Sequence, residues 1–277
     1  MTAHLKLRPC KTIAVEFFSS GRFFQAPRED YRRLQWLLRM TIAGNLDVIR
    51  ERIALAARRA GREPEDIALM AVTKTQPGER IVEAYKAGQR LFGENRVQEF
   101  AGKFGALADL HDAEFHMIGH LQSNKVTKAA EIFGAVDSLD SAKLGERLNA
   151  AAERASKTLG VLIEINAGGE AAKSGVASDS AELERILAAA PSWPRLRIRG
   201  LMTVPPFTDD PEGARPYFRQ LRELRERLGE LPFVSLDVLS MGMSHDFEVA
   251  IEEGSNCVRI GTGIFGERVK GAVARFS

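Results

Sequence analysis

The chain has 277 residues, is 44% hydrophobic and carries a formal net charge of +2, enough apolar sequence to bury a substantial core in one α/β domain. No apolar run approaches the ~18 residues that a membrane crossing needs. The two cysteines, Cys10 and Cys257, stand far apart without metal-ligand spacing, so neither a disulfide framework nor a metal site is indicated, and a reducing, cytoplasmic setting is expected.

The charge is uneven. Residues 1–39 hold eight Lys/Arg against three Asp/Glu, which leaves 31 against 34 in the rest. A mildly acidic body argues against a nucleic-acid surface. Residues 1–39 mix Phe17-Phe18, Phe23-Phe24 and scattered arginines with no sustained helical or alternating period, and are read as an extension outside the domain, which spans 40–277. An Arg-rich, acid-poor leader has the composition of a transit peptide. The preferred reading is an appendage from an upstream start, because Met40 directly precedes a well-formed helix.

That helix starts at Thr41, with Ile42, Leu46, Ile49, Ile53 and Ala57 at helical spacing; Gly61 and Pro64 stop it. The run Ile67 to Val72 is apolar on both faces, as in a strand covered on two sides, and it ends in Thr73-Lys74-Thr75-Gln76-Pro77. The alternation then repeats. Strands are predicted at Arg90–Asn95, Phe115–His120, Ala135–Ser138, Val161–Asn166, Ile198–Thr203, Leu236–Met241 and Cys257–Gly261, with helical patterns between them. Eight strands, each followed by a helix, in ~230 residues fit a single (β/α)8 TIM barrel. A doubly wound sheet alternates likewise, but the glycine-rich phosphate turn it carries after strand one is missing.

Lys74 sits where such barrels keep their chemistry, at the carboxyl end of strand one. Alone it reads as a lysine reaching water. Strand eight changes that reading, because Arg259-Ile260-Gly261-Thr262-Gly263 places small residues where backbone N–H groups can approach an anion, and strand seven ends comparably in Ser240-Met241-Gly242-Met243-Ser244. A phosphate site beside a lone amine points to a phosphorylated aldehyde held as a Schiff base, and pyridoxal 5′-phosphate (PLP), the active form of vitamin B6, fits.

Five segments carry a family resemblance from Met40 to about Arg268: Ala71-Val72-Thr73-Lys74-Thr75, Phe92-Gly93-Glu94-Asn95-Arg96-Val97-Gln98-Glu99, His116 through Lys125, Gly200-Leu201-Met202, and Ser240 through Asp246 with Arg259-Ile260-Gly261. The sequence resembles the PLP homeostasis proteins (the YggS/PROSC type). The resemblance implies a barrel of the alanine racemase N-terminal-domain type with PLP on Lys74. It implies further that Arg259 faces the pyridine nitrogen, that Gly261, Thr262, Ser240 and Gly242 hold the phosphate, and that Asn95 lies near the ring. An arginine beside that nitrogen favours its unprotonated form and weakens the ring as an electron sink.

His116 and His120, four apart on a strand-to-loop segment, need not share a direction, and structural hydrogen bonding is the expected role. Glu94 and Asp137 at strand ends are expected to brace rather than react. The loop from Asn166 to Gly175 matches the family at Glu170, Lys173 and Gly175, so Lys173 could be a second amine that passes PLP on. Two functions follow, a carrier that buffers PLP and releases it to apo-enzymes, or an amino-acid racemase on the same barrel. The racemases that this barrel resembles take a second base from a tyrosine in an added domain. The only tyrosines are Tyr31, Tyr85 and Tyr217, none of them at a strand's carboxyl end, which favours the carrier with little turnover of its own. A vestigial scaffold is the third reading. Contacts with PLP-dependent apo-enzymes, a monomeric state and no metal complete the expectations.

Overall fold

The computed structural model describes residues 14–16, 23–25, 41–169 and 174–266. Eight parallel strands close into a barrel: β1 (Ala68–Val72), β2 (Leu91–Glu94), β3 (Glu114–Met117), β4 (Ala135–Leu139), β5 (Leu159–Glu164), β6 (Leu196–Met202), β7 (Val234–Met243) and β8 (Cys257–Ile260). They run in sequence order round the ring, and β8 closes it by pairing with β1, Cys257 opposite Ala68 and Ile260 opposite Ala71. The single (β/α)8 barrel is therefore the architecture. Two short strands of the leading segment, Ala14–Glu16 and Phe23–Gln25, pair antiparallel in a sheet of their own, where the sequence offered no periodic signal.

The helices are α1 (Ile42–Arg59), α2 (Gly78–Lys86), α3 (Val97–Phe104), α4 (Val126–Ile132), α5 (Ala142–Arg154), α6 (Ala181–Ala189), α7 (Arg215–Leu228), α8 (Phe247–Glu252) and α9 (Thr262–Phe265). Side-chain caps start several of them. The hydroxyls of Thr41, Ser141 and Ser180 accept from the backbone N–H groups of Gly44, Leu144 and Leu183, each worth roughly 1 kcal/mol.

Among the described residues β8 is followed by the four residues of α9, and α1, which precedes β1, packs against that part of the ring. Its buried stripe Ile42, Leu46, Ile49 and Ile53 belongs to the main core. Polar contacts fix its docking: Asn45 Nδ2 donates to Ile264 O at 2.8 Å, Arg52 pairs with Glu248 at 2.6 Å and Arg59 with Glu252 at 3.1 Å.

The core is the shell between strands and helices. Outward residues such as Ala71, Phe92, Phe115, Val136, Ile163, Leu239 and Val258 are buried there against the helices. Phe100 of α3 packs on Phe115 and Phe133 with ring centroids 4.8 Å apart in each case, and Phe92 stacks on Phe115 at 5.2 Å. The bore is built differently. Met70, Leu162, Cys257 and Arg259 are buried but stand apart from that shell, because strand residues alternate between faces.

Candidate functional site

The carboxyl-terminal mouth is organised by the turn after β1. Lys74 is half-buried on it, and the next residue, Thr75, takes a left-handed conformation with φ +65°. That conformation is costly for a branched side chain, and its neighbours hold it. The Thr75 N–H donates to Glu99 Oε1 at 2.5 Å. Lys103 Nζ of α3 donates to Thr73 O and Gln76 O at 3.1 and 3.0 Å, spanning the turn from one side.

Lys103 is itself fixed by Glu94, 2.8 Å away and wholly buried at the end of β2. Thr73 Oγ1 donates to the same carboxylate oxygen at 2.5 Å, while Glu94 Oε2 has no hydrogen-bond partner. Burial raises the Glu94 carboxyl above its ordinary value; Lys103 and Thr73 pull it back. The brace expected of Glu94 is thus a chain from Glu94 through Lys103 to the lysine turn.

Across the β1/β8 seam lies Arg259, 3% exposed and paired in register with Met70. Its Nη1 donates to Ser240 Oγ at 2.7 Å and its Nη2 to Thr203 O at 2.8 Å. Desolvation lowers the guanidinium from its ordinary value, while Cys257, Asp137, Glu164 and Asp246 oppose that. A buried cation that spends two of its five N–H donors on the protein can still address a polar ring.

The end of β7 and the turn after β8 meet beside it. Gly242 has φ +93°, and a Cβ there would fall 2.6 Å from Ala250 Cβ and 2.9 Å from Phe247 Cα, so only glycine fits. Gly261 differs. A Cβ there would make only ordinary contact with Val72 at 3.5 Å, so the fold itself does not demand glycine and its use leaves room above β8. Thr262 is exposed at the start of α9. The Gly263 N–H donates to Ser244 Oγ at 3.3 Å and ties the two loops together. Asn95, half-buried after β2, makes no side-chain hydrogen bond among the described residues. Ser240 is fully buried in β7, and its hydroxyl accepts from Arg259 Nη1, so it steadies the guanidinium.

These residues suit a group with one anionic end and one electrophilic carbon. The glycine-bearing loops leave space for the first, and a lone lysine nearby can meet the second.

The alanine racemase N-terminal domain family matches residues 44–269. A pyridoxal phosphate homeostasis protein of Aquifex aeolicus is 46% identical over 229 residues, 83% of this chain and 99% of that one. The chain belongs to the pyridoxal phosphate homeostasis protein family. The structure of another protein, PipY of Synechococcus elongatus with PLP bound, superposes with a TM-score of 0.68 at 35% identity, over 82% of this chain and 100% of that one. Alanine racemase of Clostridium difficile, at 12% identity and a TM-score of 0.60 over 83% of this chain and 57% of that one, shares the fold alone.

Within this homeostasis-family barrel the two histidines part company. His120 lies in the exposed loop after β3, with Nδ1 3.1 Å from Asp140 Oδ2, whereas His116 is turned into the lower bore against Asp137. Tyr85 and Tyr217 sit on outer helices α2 and α7; Tyr31, Glu170 and Lys173 lie outside the described residues. One group was missed in the sequence. Glu164, at the end of β5, is 6% exposed; Ser174 Oγ donates to its Oε1 at 2.8 Å, and Oε2 has no partner. Burial raises its carboxyl above the ordinary value, with Ser174 opposing. The available signal was a single acid in the otherwise apolar Val161-Leu162-Ile163-Glu164-Ile165 run.

Proposed function

We propose that this protein binds pyridoxal 5′-phosphate at the carboxyl-terminal mouth as a Schiff base on Lys74. It buffers the vitamer and passes it to PLP-dependent apo-enzymes, with little turnover of its own. The observation that carries the reading is the half-buried lysine ending β1 beside a buried arginine on β8, the strand hydrogen-bonded to it. When bound, PLP supplies an aldehyde that condenses with an amine and a ring that withdraws electrons once its nitrogen is protonated.

The residues present fit that group. Gly242 near the end of β7 and Gly261-Thr262 after β8 offer a small-residue cradle for the phosphate, Asn95 an unengaged amide, and Lys74 the amine. Arg259 is already a cation, so it opposes a proton on a basic nitrogen placed beside it and sets the site against strong electron withdrawal. Both described tyrosines stand on outer helices rather than on a strand's carboxyl end, which gives no support to a second base of the kind racemisation requires. The names of the relatives and the PLP bound in PipY support the same reading.

The protein is further read as a monomer of the cytoplasm, where the buried free thiol of Cys257 stays reduced. Among the described residues no helix is long and apolar enough to cross a membrane. The test is spectroscopic. Protein mixed with PLP should gain a visible absorption band that borohydride bleaches, and peptide mass spectrometry should place the reduced label on Lys74. A label on a lysine away from the barrel mouth, or none, overturns the reading.

A further inference from the structure

The amino-terminal end of the barrel contains a cavity of about 250 Å³ on the far side of the bore from Lys74. Ala68, Leu91, Glu114, Ala135 and Cys257, each the first residue of its strand, line it. In most barrels this level is filled by layers of branched side chains. Here Ala68, Ala135 and Gly160 occupy lining positions, and even a Cβ at Gly160 would touch Ala135 Cβ and Arg199 Cδ at 3.4 Å each. The opening exists because three small residues stand where larger ones would close it.

His116 and Asp137 form its polar floor, with Nδ1 3.1 Å from Oδ2 and Asp137 only 1% exposed. Burial opposes a charge on this imidazole, but Asp137 and Glu114 overcome it and push its pKa up to about 9, so both ring nitrogens carry protons at neutral pH. Nδ1 is committed to Asp137. Nε2 faces Glu114 Oε2 at 3.7 Å, longer than a hydrogen bond, which leaves its N–H room for a further acceptor. Arg199, an exposed residue of β6, also lines the cavity and makes no hydrogen bond or ion pair among the described residues. Leu91, Leu162 and Val238 give it an apolar wall.

A histidine and an arginine that line the same apolar-walled opening match an anion that carries a short hydrocarbon chain. We propose that this amino-terminal cavity binds a small aliphatic carboxylate, its charged end taken by Arg199 and His116 and its chain laid against Leu91, Leu162 and Val238. The planar fork of Arg199 suits a carboxylate's two oxygens. A volume below the ~300–1,000 Å³ of drug-sized pockets suits a molecule of a few heavy atoms. The site does not depend on the PLP reading, since no group of the Lys74 turn lines it.

Full-length protein would be titrated with 3-methylbutanoate at neutral pH, followed by saturation-transfer NMR on the ligand and by the His116 ring resonances. Saturable binding that moves those resonances, and weakens at least tenfold in both Arg199→Ala and His116→Gln, is the expected result. Unchanged borohydride labelling of Lys74 and a cooperative melt show that each variant is folded. If the histidine variant fails those checks, Arg199→Ala alone decides. The proposal is overturned by the absence of saturable binding, by equal affinity in Arg199→Ala, or by preference for 3-methylbutylamine, which would make Glu114 the recognising group.

Discussion

At the carboxyl-terminal mouth the chemistry-bearing group stands on a turn and is braced from outside, with Lys103, Glu99 and Glu94 holding the backbone that carries Lys74. At the amino-terminal mouth the polar groups stand on strands. His116, Asp137 and Glu114 take their direction from β3 and β4, and small neighbours rather than braces give them space. A loop-borne amine needs a dedicated support to stay where it can react, whereas a strand-borne cluster needs only the right register and an absence of bulk. The two regions meet at Arg259, which hydrogen-bonds to Thr203 and Ser240 and feels the charge of Asp137 below it.

The contrast can be broken most sharply at Lys74. Lys74→Ala should abolish the visible PLP band and all borohydride-dependent label, with the melting temperature nearly unchanged and the His116 ring resonances unmoved. A change in those resonances would show that the mouths are not separate. Next in size is the brace. Lys103→Met strands a buried Glu94 carboxylate and should cost about 3 kcal/mol or more in urea unfolding. Lys103→Met combined with Glu94→Gln should recover part of that, since an amide needs no counter-charge, while Lys74 labelling stays slowed because the turn has lost its spanning amine.

The lower mouth should show its own signature in pH. The folded-state pKa of His116, about 9, lies above the ordinary value of 6.5. Its contribution, on the order of 3 kcal/mol, is therefore complete below about pH 6.5 and is lost as pH rises through about 9. Urea midpoints measured from pH 6 to 9.5 should fall over that window in the wild type and stay flatter in His116→Gln. The smallest effect belongs to the layer between. Ser240→Ala removes one hydrogen bond from Arg259 and should cost roughly 1–2 kcal/mol, with PLP bound more weakly but still on Lys74. Loss of the label itself would contradict this supporting role.

The lysine was legible because an apolar run closed by Pro77-Gly78 leaves one amine at a strand end, and the glycines after β7 and β8 were legible because anion loops and tight turns both require them. Register inside the bore was not. Ser240 and Arg259 are nineteen residues apart in the chain and adjacent in space only because β7 and β8 pair, so the serine's support for the arginine could not be read beforehand. Lys103 looked like any exposed lysine of an amphipathic helix until the barrel turned it toward Thr73 and Gln76. Glu164 was visible as an acid in an apolar run, but its burial depends on Ser174 returning over it.

What the sequence settled alone was the alternation of eight apolar runs with helical stripes, and with it the barrel and the end at which Lys74 emerges, since periodicity and chain direction are local properties. Which helix completes the ring, which acid braces which base and where the bore stays hollow depended on contacts between residues up to about two hundred positions apart. Those were decided only when closure of β8 on β1 fixed the register of every inward side chain.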